Sequence, residues 1–201
     1  MTEPKITLYG LKLSGHVHRV ALLLEMLELP YRFVEATDEM RRSPAYLELN
    51  PLGQVPVIED GPIALADSNS ILVYLAKRYA PSSHWLPEEP EAAARVQRWF
   101  SLAAGELMYG PASARAMQLW GFPGDRDRAA AIAARLFRFM DAHLATREYL
   151  ATEHPTVADL ACYSYTAHAP EGGLALEPYA AIRAWLARIE ALPRFRPMPR
   201  S

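Results

Sequence analysis

Two short stretches of the chain carry residue types that could hold an extended peptide and its carboxylate. The first, residues 50–70, reads NPLGQVPVIEDGPIALADSNS. A residue ahead of a proline is pushed into extended geometry, so Val55 before Pro56 offers its N–H and C=O edgewise, and an extended peptide could pair there. Ala66, Asp67, Ser68 and Asn69 then open a helix marked by Ile71, Leu72, Leu75 and Tyr79. Free N–H groups at such a helix start favour a carboxylate. The second stretch places Ser14 just ahead of Gly15, where the loop after a first strand meets a first helix. Its hydroxyl and the helix N–H groups would converge on one point, although a serine there also serves as an ordinary cap. His16 and His18 suggest a metal, but residues two apart do not share a helix face. No Cys/His/Asp group has zinc spacing, so no metal site is expected. Thr156 and Asp159 have the spacing of a capping box and are structural.

These residues need elements to position them. Ile6 to Tyr9 reads as a buried strand, Val17, Val20, Ala21, Leu24 and Leu27 as a helix, and Tyr31 to Val34 as a second strand, which together make a βαβ unit. A short helix near Pro44 to Leu49 precedes strands at Val55 to Glu59 and Ile63 to Leu65, joined by a hairpin at Asp60, Gly61 and Pro62. The helix from Ser68 to Tyr79 follows and completes a ββα unit on a four-stranded sheet. APSSHWLPEEP, residues 80–90, breaks the periodicity and marks a boundary. Beyond it only helical spacing survives: Val96 to Leu107 mark one long helix, and Ile132 to His143, Val157 to Ser164 and Ile182 to Ile189 mark three more. The fold class expected is α/β plus all-α: residues 1–80, a linker at 81–88, and a helical bundle over 89–201 whose tail from Pro193 is irregular.

Composition excludes several roles. With 201 residues, about half of them apolar, the chain can bury a sizeable core. The balance of 21 basic against 23 acidic residues leaves no basic surplus for a polyphosphate, so nucleic acid is not an expected partner. The start, MTEPKITLYG, lacks an apolar run behind a basic end, and no segment is long and apolar enough to span a bilayer, which gives a cytoplasmic expectation with no membrane partner. The one cysteine, Cys162, sits in an apolar helical run and suits a reducing compartment.

Together with ITLYGLKLSGHVHRVALLLEMLELPY, the 50–70 segment resembles the N-terminal glutathione-binding domain of the cytosolic glutathione transferases, and PTVADLACYSY resembles that family's capping motif in its helical half. The resemblance implies a thioredoxin-like βαβ-α-ββα domain with a cis-proline at Pro56. LSGHVHRV is similar to the serine-type (phi-, theta- and zeta-like) members, which implies that Ser14 stabilises the thiolate; Tyr9, at the end of the first strand, is the rival activator. It also implies glutathione contacts from Gln54, Val55, Pro56, Asp67 and Ser68, with Arg41 and Arg42 approaching the glycine carboxylate. An electrophile pocket is implied at Leu13, Met108, Tyr109, Arg115 and Trp120, with Phe122 beside them. Arg19 is expected in an ion pair on the first helix. The activity implied is conjugation of glutathione, as co-substrate, to small apolar electrophiles by a homodimer without a bound cofactor. Glutathione-dependent dehalogenation, isomerisation or peroxide reduction, and a noncatalytic glutathione-binding module, are the alternatives. Residues 9–18 contain no cysteine, which speaks against disulfide exchange.

Overall fold

The structure, a computed structural model, describes residues 5–201. The chain divides into two compact units, one running through Pro81 and reclaiming Pro193–Pro199, the other comprising Ser82–Leu192 and the last two residues. The tail from Pro193 is irregular, as its prolines dictate, but Pro193–Pro199 belongs with the first unit and not with the helical half. His18 of the first helix meets the Arg196 carbonyl at 2.8 Å, Arg194 pairs with Glu28 at 2.5 Å and Arg196 with Glu25 at 3.3 Å, so the segment is strapped down.

In the first unit the order is β1 (Ile6–Gly10), α1 (Gly15–Met26), β2 (Tyr31–Glu35), α2 (Asp38–Arg42), α3 (Pro44–Leu49), β3 (Val57–Asp60), β4 (Ile63–Ala66) and α4 (Ser68–Tyr79). The sheet runs β2-β1-β3-β4, with β2 parallel to β1 and the other two pairings antiparallel. Alternation sorts its side chains. Tyr9, Val57 and Ala66 lie on one face against Tyr46 and Leu49 of α3 and Met40 of α2. Leu8 and Ile58 point the other way, toward the face that α4 covers, where the buried Asp60 carboxylate accepts from Tyr74 at 2.8 Å and from Tyr79 and pairs with Lys5 at 3.3 Å. Buried Ile71, Leu72, Leu75 and Ala76 form the inner stripe of α4, which packs on α1. Two details depart from the sequence expectation. The five-residue α2 has too few turns to show periodicity, and β3 begins at Val57, leaving Val55 and Pro56 outside the ladder.

The second unit is helical: α5 (Pro90–Ala104), α6 (Ser113–Trp120), α7 (Arg126–Leu144), α8 (Val157–Ala167) and α9 (Ala180–Glu190). The long helix expected over Val96 to Leu107 stops short, as α5 ends at Ala104. Gly105 ends α5, and a π-helical turn over Met108–Ala112 leads into α6. Pro111 is the physical reason, because it lacks an N–H and crowds the carbonyl four residues back. The Ser113 hydroxyl donates to the Met108 carbonyl at 2.9 Å inside that turn. Gly110 is required there, since a Cβ would stand 2.9 Å from the Ala133 nitrogen of α7. At the start of α8 the capping box forms as spaced: Asp159 accepts from the Thr156 N–H at 2.8 Å, and also from Leu150 N–H and Trp185 Nε1, both at 3.0 Å.

Candidate functional site

Strand register brings the candidate residues to one end of the sheet. Val57 pairs with Tyr9 on one side and with Ala66 on the other. The residues just outside the ladder at that end are therefore the loop after β1 (Leu11–Ser14), the Val55–Pro56 pair before β3, and Asp67–Ser68 after β4. Both helices that follow these loops, α1 and α4, start here and turn the positive ends of their dipoles toward this sheet end, which favours anions. Gly10 lets the chain turn closely into α1, for a Cβ there would lie 2.4 Å from a Val17 methyl.

Ser14 caps α1, its Oγ accepting from the Val17 N–H at 3.4 Å. Acceptance uses a lone pair and leaves the hydroxyl hydrogen for another partner, so capping and donation to a thiolate are compatible. Tyr9 is differently placed. Its hydroxyl donates to Glu59 Oε2 at 2.5 Å, its ring stands edge-on to Tyr46, and burial followed by Glu59 raises its pKa. The phenol already has a strong acceptor on the sheet face beneath α2 and α3.

The Val55–Pro56 bond is cis. The Gln54 side chain is exposed, while its carbonyl accepts from the Tyr46 hydroxyl at 2.9 Å and from Asn50 Nδ2 at 3.0 Å. A peptide unit is planar, so fixing the Gln54 carbonyl aims the Val55 N–H the opposite way. Tyr46 and the buried Asn50 are thus site residues that sequence reasoning missed. The signal was available: they stand four apart on one helix face, and Asn50 directly precedes Pro51 in NPLG. Arg41 is tied to this loop by a long 3.5 Å contact to the Gly53 carbonyl and by an ion pair with Asp38; Arg42 is exposed.

Asp67 occupies the left-handed half of backbone space, with φ +70. A non-glycine residue held there carries local strain, a feature that clusters at ligand-binding sites. One oxygen of its exposed carboxylate caps α4 through the Ser70 N–H at 2.8 Å, and a carboxylate has a second oxygen for a cation. Ser68 is buried, and two residues of α1 reach its hydroxyl: Arg19 Nη1 donates to Oγ at 3.3 Å, and His16 Nδ1 lies 3.3 Å from it. Arg19 also donates to Asn69 Oδ1 at 3.0 Å. Arg19 therefore bridges to α4. His16 and Arg19 stand three apart and share a face, a spacing hidden when His16 is compared only with His18. Burial, then the Arg19 charge, pushes the His16 pKa down to about 3, so the ring is neutral near pH 7.

The expected electrophile residues have varied placements. Leu13 is half-buried in the β1–α1 loop of the first unit. In the second unit Tyr109, Trp120 and Phe122 are well exposed and Met108 partly so. Arg115 is buried; its Nε donates to Glu171 at 2.7 Å and its guanidinium lies over the Trp120 ring. It forms an internal ion pair and lies against the exposed Trp120 ring. Among the described residues no group of three or more His, Cys, Asp or Glu side chains could hold a metal ion, and no helix is long and apolar enough to cross a membrane.

Comparison with known proteins fits this geometry. Residues 8–83 match the family model for the glutathione S-transferase N-terminal domain, and residues 113–193 that for the C-terminal domain. Glutathione S-transferase 3 of Zea mays is 32% identical, covering 95% of this chain and 91% of its own length. Glutathione S-transferase GstB of Escherichia coli K12 is 30% identical, covering 95% and 96%. Among solved structures, a glutathione S-transferase from Pseudomonas fluorescens Pf-5 superposes with a TM-score of 0.88 at 34% identity, over 96% of this chain and 98% of that one.

Proposed function

The chain belongs to the glutathione S-transferase family, and from that premise we propose that its sheet-end site binds glutathione as co-substrate and adds its thiolate to small apolar electrophiles. The observation that carries the reading is the convergence, through the Tyr9–Val57–Ala66 register, of a hydroxyl, an outward peptide edge and an acidic-Ser helix start at one point. Val55 pairs with the cysteinyl backbone of the tripeptide. Asp67 takes the γ-glutamyl ammonium, and Ser68, with the N–H groups of α4, takes the α-carboxylate. Gln54 and Pro56 complete the cradle, and Arg41 and Arg42 supply positive charge for the glycine carboxylate.

Ser14 acts on the thiol. A free thiol of pKa about 8.5 is only a few per cent ionised at pH 7, and lowering it by about two units takes roughly 2.7 kcal/mol of preferential thiolate stabilisation. A hydrogen bond to a charged acceptor contributes about 1.5 to 3 kcal/mol, and the N-terminus of α1 adds to it. The thiolate then attacks the electrophilic carbon of the second substrate, the new C–S bond forms, and the leaving group departs with its electron pair. For this step the protein supplies position and charge stabilisation. In the second unit, exposed Tyr109 and Trp120 with partly exposed Met108 offer apolar surface to an electrophile, and the Arg115 guanidinium lies over the Trp120 ring. We place the enzyme in the cytoplasm as a homodimer, following the family. The test is calorimetric titration with glutathione followed by a panel of electrophiles. Saturable binding with conjugate formation is expected, and no heat at millimolar glutathione refutes the reading.

A further inference from the structure

We propose that the buried guanidinium of Arg19, lying behind Ser68, supplies the counter-charge for the ligand's γ-glutamyl α-carboxylate and so sets the site's preference for ligands that carry this group. The inference rests on the glutathione reading of the site and adds to it a positioning residue, one that acts by its charge and through Ser68 without touching the ligand. Charge balance points to it. The γ-glutamyl end brings one ammonium and one carboxylate to the start of α4, and Asp67 answers the ammonium. One negative charge is then left over at the carboxylate. The N-terminus of α4 offsets about half a unit of it. Arg19 can offset the whole. It is fully buried on α1, and its Nη1 donates to Ser68 Oγ at 3.3 Å and to Asn69 Oδ1 at 3.0 Å. The direction of both bonds is fixed by chemistry, because a guanidinium has only N–H groups to offer. Both acceptors are neutral oxygens, so neither cancels the charge.

A carboxylate oxygen in hydrogen-bond contact with Ser68 Oγ, about 2.7 Å away, lies within about 6 Å of Nη1, since Nη1 is itself 3.3 Å from that oxygen. At this distance the attraction of two unit charges corresponds to about hundredfold in affinity at an effective dielectric constant of about 20, and about tenfold at about 40. Arg19 is charged in the free and the bound protein alike. The carboxylate, however, arrives only with the ligand, so the attraction enters the affinity in full. The neighbouring ring reports the same field: burial, then the Arg19 charge, holds the His16 pKa down at about 3. Near pH 7 that ring adds no second cation.

The test is calorimetric titration of the whole protein at pH 7 with S-methylglutathione, which has no ionisable thiol, and with its analogue whose γ-glutamyl α-carboxylate is replaced by hydrogen. Arg19→Gln removes the charge and keeps a donor for Ser68. It should weaken S-methylglutathione about tenfold to hundredfold and change the affinity for the analogue by less than about threefold. Arg19→Lys keeps the charge without the guanidinium's fork and should return S-methylglutathione binding to within about fivefold of wild type. The quantity read is the ratio of the two affinities in one preparation, so a variant that folds only in part still reports it. Equal losses for both ligands in Arg19→Gln, an unchanged ratio there, or Arg19→Lys binding no better than Arg19→Gln overturns the inference alone. Failure of wild type to saturate with S-methylglutathione overturns the reading of the site beneath it.

Discussion

Replacing Ser14 by alanine should raise the pKa of bound glutathione and leave its affinity nearly unchanged. The cap bond lost is long, 3.4 Å to the Val17 N–H, so the cost to stability falls at the lower end of the capping range, about 0.5 to 1 kcal/mol. The donor lost is the larger effect. One hydrogen bond to a thiolate contributes about 1.5 to 3 kcal/mol, equivalent to roughly one to two pKa units. A bound thiol near pKa ~6.5 is about three-quarters ionised at pH 7, and moving it to ~8 leaves about a tenth, so kcat at pH 7 should fall about eightfold. The α1 N-terminus remains in the variant, so some depression below the free thiol persists. The assay is thiolate absorbance near ~240 nm against pH for wild type, Ser14→Ala and Tyr9→Phe, with the shift converted through the pKa relation. Tyr9 already donates to Glu59 at 2.5 Å, so Tyr9→Phe should move the thiol pKa by less than ~0.3 units. A shift of one unit in Tyr9→Phe with none in Ser14→Ala would falsify the serine assignment.

Asp67→Asn keeps a capping oxygen and tolerates φ +70, yet removes the charge, so calorimetry should register a loss of about 1.5 to 3 kcal/mol in glutathione binding; equal affinity would show that the carboxylate does not meet the ammonium. His16 should make the fold acid-sensitive. Its folded pKa of about 3 lies below the unfolded value of 6.5, so between these the unfolded chain binds a proton that the folded chain does not, and stability falls as pH falls. In urea unfolding His16 should account for about 2 kcal/mol of the stability lost between pH 7 and pH 5, beside the losses from His84 and His143, whose pKa values burial also lowers, and His16→Asn should remove that share; an identical pH slope in the variant counts against it. Glu171→Gln removes the carboxylate facing the buried Arg115, and the melting temperature should drop by an amount equivalent to about 3 kcal/mol, whereas an unchanged melt would mean that the pair contributes nothing. Light scattering at micromolar concentration should return twice the chain mass, and a stable monomer refutes the dimer.

Much of this fold is written in local rules. The alternation of β1, the helical spacing of α1 and α4, the Gly61–Pro62 hairpin and the Thr156–Asp159 capping box each depend on residues a few positions apart, where periodicity and cap chemistry act directly. Ser14 and the Asp67–Ser68 pair were legible for the same reason, since a polar residue at a helix start announces itself. Five residues are too short for a periodic signal, so α2 was not visible. Apolar spacing carries one helix from Val96 to Leu107, whereas α5 ends at Ala104 and a π-helical turn containing Pro111 follows. The site's supporting contacts belong to tertiary structure alone. That Tyr9 donates to Glu59, 50 positions away, and that Arg19 reaches Asn69, also 50 positions away, follow from strand register and the packing of α1 on α4. Sequence determined which residues could cap, pair and turn. Only the assembled sheet decided which capping hydroxyl keeps a proton to give, because that depends on where distant donors and acceptors come to rest.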